Sequence, residues 1–593
     1  MKISERVDDL LTKMTLEEKI GQMTQVDQRA IEPEDVRRWF FGSVLSGGGA
    51  NPEPNNPQNW ADMVLGFQKA ALETRLQIPL IYGVDAVHGH SNVIGATIFP
   101  HNIGLGATRD PDLVKRIGRA TALETSATGV YWNFAPCVAV PQDIRWGRTY
   151  EGFSEDTELV AELGAAYVYG LQSERGLGSP GTNLACPKHF AGDGGTTWGT
   201  TREYEWITNN QQAVTQNYKI DQGDTRISES ELRKIHLTPY IAAIKAGARS
   251  IMVSFSSWNG TKMHSHHHLL TDILKGELGF SGFLVSDWQA IDQLSPDYGQ
   301  CVVTSINAGL DMVMAPFKYQ RFISALKQAV ETGDVAISRI DDAVRRILTV
   351  KFELGLFERK CELEPRLDSL GNEKHRSLAR EAVRKSLVVL KNDHKTLPIA
   401  KDVANILLAG PAADNIGLQC GGWTIEWQGG NGNITPGTSF LQAVRRTIST
   451  NTNLHFDESG VVDDLVQAEV GIVCLHEQPY AEGLGDRADL TLSADEVDLI
   501  KRLRSRCQRL VVILFSGRPL IITEQLSLAD AWVAAWLPGT EGLGITDVLF
   551  GDYPPTGKLP YNWPRSLSQL NQKDWKKGTG DNAPLFPIGY GLA

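Results

Sequence analysis

From Thr15 to about residue 355, short apolar runs alternate with longer amphipathic stretches of helix length. PLIYGV (79–84), YWNFAPCVAV (131–140), TNLACP (182–187), SIMVSF (250–255), GFLVS (282–286) and GLDMVM (309–314) each read as a buried strand. Strands that alternate with helices imply a parallel sheet. A run this long suits a (β/α)8 barrel, which takes about 250 residues before insertions. Thr15-Leu-Glu-Glu18 is a capping box at the head of a helix, its hydroxyl and carboxylate able to satisfy opposite orphan amides.

Between about 356 and 400 the pattern changes to a charged, helix-prone stretch that ends in KNDHKTLP (391–398). Beyond it, NILLAG (405–410), VGIVCLHE (470–477), LVVILFSG (510–517) and WVAAWLPG (532–539) are near-continuous apolar runs with helices between them. That is the pattern of a doubly wound sheet covered on both faces. The predicted fold class is therefore α/β, an N-terminal (β/α)8 barrel-like domain followed by a C-terminal doubly wound α/β sandwich domain. The predicted divisions are 1–357 for the barrel, 358–400 for a linker and lead-in helix, and 401–593 for the second domain.

Composition removes several classes of function. An apolar fraction of 42 % with 14 Trp and 19 Phe excludes disorder as the main state. A net charge of −12 without a block of Lys and Arg argues against a nucleic-acid partner. The longest apolar runs, such as LVVILF (510–515), fall well short of the roughly 20 residues of a membrane-spanning helix, so no membrane partner is expected. Seven cysteines, odd in number and never in a CxxC pattern, make a disulfide framework or a zinc site improbable. The N-terminus MKISERVDDLLTKM lacks the apolar core of a secretory signal, which leaves a cytoplasmic protein, or a periplasmic or secreted one with its leader removed.

Polar residues gather at the ends of the apolar runs. Asp85, Lys188, His189 and Asp287 each follow the C-terminal end of one, and Arg148 lies a few residues beyond another. In a barrel that is the catalytic face. Two segments also join an acid to aromatic neighbours: Asp287 stands beside Trp288, and Glu482 lies in the glycine-flanked loop EQPYAEGLGD (477–486). Acid plus aromatic suits a sugar site, where a ring plane stacks on the pyranose and carboxylates bond its hydroxyls.

VDAVHGH (84–90), ATIFPHNIGLGATRDP (96–111), RWGRTYEGFSED (145–156), CPKHFAGDGGT (186–196), SDWQAIDQL (286–294), GGWTIEWQG (421–429) and PYAEGLGD (479–486) occur in this order. Together they resemble the two-domain β-glucosidases and β-glucan exohydrolases of glycoside hydrolase family 3, over essentially the full length. The resemblance implies that Asp287 is the catalytic nucleophile and that Glu482, from the second domain, is the general acid/base. It implies that Asp85, Arg148, Lys188 and His189 hold the hydroxyls of the sugar in subsite −1. Trp288 and Trp427 match the aromatic pair that clamps the leaving sugar, and Trp423 belongs to the same wall or to the core. The implied reaction is retaining, exo-acting hydrolysis of β-glucosides and gluco-oligosaccharides with glucose as product, with no cofactor and no metal. A retaining pair of carboxylates stands about 5 to 5.5 Å apart.

Some features depart from the family pattern. Gln293 replaces an Arg often found a few residues after the nucleophile in plant members, and QDIRWGR (142–148) lacks the Arg and Pro that commonly open that motif. A long polar insertion, 196–225, carries several aromatics and is expected to overhang the pocket; within it either Asp221 or Asp224 could support the acid/base. GLGSPG (176–181) precedes a strand instead of opening a helix after one, so it does not read as a dinucleotide loop. His264, His266, His267 and His268 invite a metal reading, but the matching stretch of the family binds none. Competing functions are a β-xylosidase, a β-N-acetylhexosaminidase of the same family and a non-catalytic sugar-binding protein. The hexosaminidase branch should read like KHFPGHG where this chain has KHFAGDGG, and a binding protein usually loses a catalytic carboxylate that this chain keeps.

Overall fold

The structure, a computed structural model, describes residues 2–207, 218–359, 367–461, 467–572 and 574–593. Two compact units divide the chain. The first comprises Met1–Ala96, Val114–Val140 and Ala161–Gly371; the second comprises Thr97–Leu113, Pro141–Val160 and Asn372–Ala593.

Among the described residues, eight short strands of the first unit pair in parallel: β1 (Thr24–Asp27), β2 (Ser43–Ser46), β3 (Ile81–Val84), β4 (Trp132–Asn133), β5 (Leu184–Ala185), β6 (Ser250–Met252), β7 (Phe283–Val285) and β8 (Val313–Met314). Strands β1 to β5 are neighbours in sequence order, β8 pairs with β1, and β6 pairs with β7. Single bridges from Phe190 to Val253 and from Val285 to Met312 join the remaining edges into a ring. Helices such as Pro57–Leu72, Thr157–Gln172 and Tyr298–Ala308 make the crossovers, as a barrel of parallel strands requires. Large side chains fill the interior. Trp132 meets Phe134 and Phe283 edge-on at 5.0 and 5.1 Å, and its indole N–H donates to the Ser250 hydroxyl at 2.9 Å.

All six apolar runs read from this region lie on barrel strands, and β1 and β2 are additions. Neither shows an apolar run because Thr24, Gln25, Asp27, Ser43 and Ser46 are all fully buried in the structure. They are tolerated inside because each makes a hydrogen bond: Thr24 donates to the Ile20 carbonyl at 2.8 Å, Asp27 accepts from the Gly47 amide at 3.1 Å, the Ser46 hydroxyl lies 2.8 Å from that of Tyr82, and the Gln25 amide donates to the Ser43 hydroxyl at 2.8 Å, which donates to the Ile81 carbonyl at 2.7 Å. A separate small sheet joins Asp224–Thr225, at the end of the insertion, to Ser257–Trp258 and Thr261–Lys262.

The second unit holds a six-stranded sheet of β9 (Val388–Asn392), β10 (Asn405–Ala409), β11 (Asn453–Asp457), β12 (Ala468–His476), β13 (Cys507–Phe515) and β14 (Ala531–Ala534). Its order is β9-β14-β13-β12-β10-β11, parallel except for β9, which pairs antiparallel with β14. From β10 the chain crosses to one side for β11 and to the other for β12, so the sheet is doubly wound. Ile406, Leu408, Val470, Ile472, Val511 and Ile513 pack into one core cluster, while the alternate residues Leu407, Val473, Val512 and Leu514 are equally buried on the opposite face.

The boundaries differ from those read in the sequence. Within 358–400, read as a linker and lead-in helix, the helix Glu373–Ser386 and strand β9 group with the second unit; residues 360–366 lie outside the described residues. Thr97–Leu113 and Pro141–Val160 also group with the second unit, which moves Arg148 out of the barrel's own rim. Among the described residues no helix is long and apolar enough to cross a membrane.

Candidate active site

In the first unit the predicted residues stand where barrel strands end. Asp85 follows β3, and the turn after it is fixed by Asn133, which accepts from the Ala86 amide at 3.0 Å and donates to the Ala86 carbonyl at 2.9 Å. Lys188 and His189 follow β5. The Lys188 amine lies 2.6 Å from Oδ1 of Asp85, a charge-assisted bond between side chains that are 2 % and 15 % exposed. His189 bonds through Nδ1 to Oδ2 of Asp193 at 2.9 Å, and its Nε2 lies 3.8 Å from Oδ2 of Asp287. Strand pairing holds this segment in place, since the Phe190 amide donates to the Met252 carbonyl and the Ser254 amide to the Phe190 carbonyl.

Asp287 begins the turn after β7. Around it, the Trp288 N–H donates to its Oδ1 at 2.7 Å, the Met314 N–H to the Ser286 hydroxyl at 2.8 Å, and its own N–H to Nε2 of His264 at 3.1 Å. Trp288 is half-buried and meets the exposed Phe317 edge-on at 5.6 Å; Arg29 lies 5.6 Å from the Phe317 ring. Gly47 makes room for this wall, because a Cβ there would come within 2.9 Å of the indole.

The described part of the insertion reaches the same loop. The Trp206 indole donates to the Asp292 carbonyl at 2.9 Å, and the Gln293 amide donates to Gln222 at 2.9 Å. Burial pushes the Asp292 carboxyl up to about 6. Asp224 accepts from the Gly260 amide and from Arg226, and so serves the small sheet, while Asp221 is buried. Residues 208–217 of the insertion lie outside the described residues.

The histidine tract does not converge on a metal. His267 and His268 are exposed and pair with Asp272 and Glu229, His266 lies against Trp258, and His264 is buried beneath Asp287. Cys137, His189 and Asp193 bring one donor atom each within 4.8 Å of one another, with the His189 nitrogen already bonded to Asp193.

In the second unit, Arg148 forms a bidentate pair with Glu151, both bonds 2.9 Å, with the two side chains 5 % and 1 % exposed. Its remaining Nη1 lies 3.4 Å from Oε1 of Glu482. Glu151 also accepts the Trp423 indole N–H at 3.0 Å. Trp423 is therefore a buried residue with a defined hydrogen bond, whereas Trp427 is half-buried and its carbonyl accepts the Trp423 amide at 2.9 Å.

The loop that carries Glu482 is built tightly. Glu482 has φ 56°, the left-handed region that few residues other than glycine adopt. Gly147 is required opposite it, since a Cβ there would lie 1.8 Å from the Glu482 carbonyl oxygen. The Tyr150 hydroxyl donates to the Tyr480 carbonyl at 2.6 Å, and the Gly147 amide to Asp486 at 2.9 Å. Beneath lies Arg518, fully buried, which donates to Glu477 at 3.1 Å, to the Tyr480 hydroxyl at 2.9 Å and to the Gly485 carbonyl at 2.7 Å. Glu477 is thus an anchor for Arg518. Glu151 is not singled out in the sequence, and His264 draws attention only as part of a histidine tract. The signals that could have found them are the spacing of Arg148 and Glu151, three residues apart, and a lone histidine, His264, just before an exposed histidine run.

The family model for the glycosyl hydrolase family 3 N-terminal domain matches residues 15–350, and that for the C-terminal domain matches residues 387–593. A lysosomal beta glucosidase of Dictyostelium discoideum is 33 % identical over 99 % of this chain and 75 % of its own length. Among solved structures, the exo-1,3/1,4-beta-glucanase of a Pseudoalteromonas species superposes with a TM-score of 0.91 at 40 % identity, covering 100 % of this chain and 74 % of that one. A mutant beta-glucosidase of Listeria innocua in complex with laminaribiose gives 0.84 at 28 % identity, covering 99 % and 83 %. With both family models matched in order across the two units, the chain belongs to glycosyl hydrolase family 3.

Proposed function

We propose that this protein is a retaining, exo-acting β-glucosidase that releases glucose from the non-reducing end of β-linked gluco-oligosaccharides and β-glucosides. The observation that carries the reading is the rim of the barrel. There an acid at the end of β7, Asp287, lies 3.8 Å from His189, beside the Lys188–Asp85 pair, whose charged groups suit the hydroxyls of one sugar ring. The names of the relatives support the same substrate class.

In the proposed double displacement, Asp287 attacks the anomeric carbon while Glu482 protonates the leaving oxygen. Glu482 then takes a proton from water, which cleaves the glycosyl ester and returns glucose with its β configuration. Asp85, Lys188, His189 and Arg148 are assigned to the hydroxyls in subsite −1. Trp288 and Trp427 are assigned to stacking on the sugar beyond it. Trp423 acts by holding Glu151, and through it the Arg148 guanidinium.

A panel of nitrophenyl glycosides with product analysis on glucose disaccharides tests this reading. It predicts turnover of the β-glucoside ahead of the β-xyloside and the N-acetyl-β-glucosaminide, and β-glucose as the first sugar seen by NMR. Preference for the xyloside or the glucosaminide, or α-glucose as first product, would contradict it.

A further inference from the structure

The backbone amides of the turn that carries Asp287 are paired one by one. Ser286 N–H donates to the Met312 carbonyl at 3.0 Å, Trp288 N–H to Oδ1 of Asp287 at 2.7 Å, and Gln289 N–H to the Met314 carbonyl at 3.2 Å. The amide of Asp287 donates to a side chain from a different segment, Nε2 of His264, at 3.1 Å. His264 follows β6 by way of the small sheet and is 1 % exposed.

For Nε2 to accept a hydrogen bond, the ring must be neutral and carry its proton on Nδ1. Burial pushes its pKa down to about 3, and the Lys262 cation acts in the same direction. The Ser254 backbone takes the ring's other hydrogen bond. One imidazole thus ties the chain beyond β6 to the chain beyond β7. Without it, the Asp287 amide would be a buried donor in want of an acceptor.

We propose that His264 is a positioning residue for the nucleophile: by accepting the Asp287 amide it fixes the backbone from which the carboxylate is aimed. The proposal rests on the reading of Asp287 as nucleophile. His264 acts through Asp287 and not on the sugar, so its loss should slow formation of the glycosyl ester and leave sugar affinity nearly unchanged.

His264→Gln and His264→Met test this as a matched pair. The two replacements have similar length, and both lose the bond to Ser254, but only the amide of the first can place an acceptor near the position of Nε2. The readouts are the rate of covalent trapping by an activated 2-deoxy-2-fluoro-β-glucoside, KM for an aryl glucoside, affinity for glucose, and Tm. His264→Met should trap about 100-fold more slowly, as expected for a reacting group misplaced by roughly 1 Å. KM and glucose affinity should stay within about threefold of wild type, and His264→Gln should recover most of the rate.

Equal trapping rates in the two variants would overturn the proposal, as would a loss that appears in sugar affinity instead of rate. If His264→Met does not fold, His264→Asn replaces it, because its amide reaches the position of Nδ1 but not that of Nε2; it should then be slow. Mapping the trapped sugar in wild type separates the role of His264 from that of Asp287. A label on Asp287 with equal variant rates removes the role of His264 and leaves the nucleophile, whereas a label on another carboxylate removes both.

Discussion

Asp287 and Glu482 have different surroundings, and these suit different tasks. Amide and imidazole groups on its own turn and on β6's continuation fix the position of Asp287, while Glu482 stands next to a guanidinium whose other face is occupied by Glu151. If Glu482 is the acid and then the base, Glu482→Ala should hurt substrates with poor leaving groups, such as cellobiose, far more than activated aryl glucosides. Azide should restore turnover of an activated substrate and give β-glucosyl azide. Equal loss on both substrates with no azide effect would take the role from Glu482 and make His189, paired with Asp193, a candidate for it. A second residue prediction concerns stability. Burial raises the Asp292 carboxyl from its usual value to about 6, so the native state holds this proton more tightly than the unfolded chain does. The resulting penalty is absent below about pH 4, where both states are protonated, and grows until about pH 6. Asp292→Asn should therefore raise Tm at pH 7 relative to wild type and have little effect on it at about pH 3.5; a Tm difference that does not vary with pH would contradict this.

At the scale of elements, the loop from Pro479 to Asp486 owes its shape to groups distant in sequence. Arg518 reaches it from beyond β13, and Tyr150 and Gly147 come from the Pro141–Val160 segment of the same unit. Glu477 lies in the same stretch as Glu482 and is also an acid, yet its carboxylate is only 4 % exposed and is occupied by Arg518, Tyr480 and the Gly517 amide. Removing one partner of a buried ion pair costs about 3 to 5 kcal/mol. Glu477→Gln should accordingly lower Tm strongly while the folded enzyme keeps the wild-type ratio of rates on cellobiose and aryl glucoside. A changed ratio with unchanged Tm would give Glu477 the acid's role. Much at this scale was legible in the sequence: Asp85, Lys188, His189 and Asp287 each mark the end of an apolar run, and those runs are barrel strands. What was hidden has a common cause. Strands β1 and β2 bury polar side chains held by hydrogen bonds, so no hydrophobic pattern marks them, and strand β9 follows its helix without a turn signal. His264 and Arg518 act through partners that spacing does not reveal, since a hydrogen bond across segments leaves no periodicity behind.

For the whole molecule, the proposed reaction divides its two carboxylates between the units. Asp287 belongs to the first and Glu482 to the second, and the second also claims Arg148 by way of a segment interposed in the barrel's sequence. A retaining reaction needs both carboxylates on one sugar, so the full chain is the catalyst to be measured. The proposed reaction passes through a covalent glucosyl ester on Asp287. Incubation of the full-length protein with 2,4-dinitrophenyl 2-deoxy-2-fluoro-β-glucoside, followed by proteolysis and mass spectrometry, reads this directly. One equivalent of fluoroglucose per chain on the peptide containing Asp287, with activity lost in step, is the predicted result; a label on any other residue, or an active enzyme that never accumulates a covalent sugar, would contradict it.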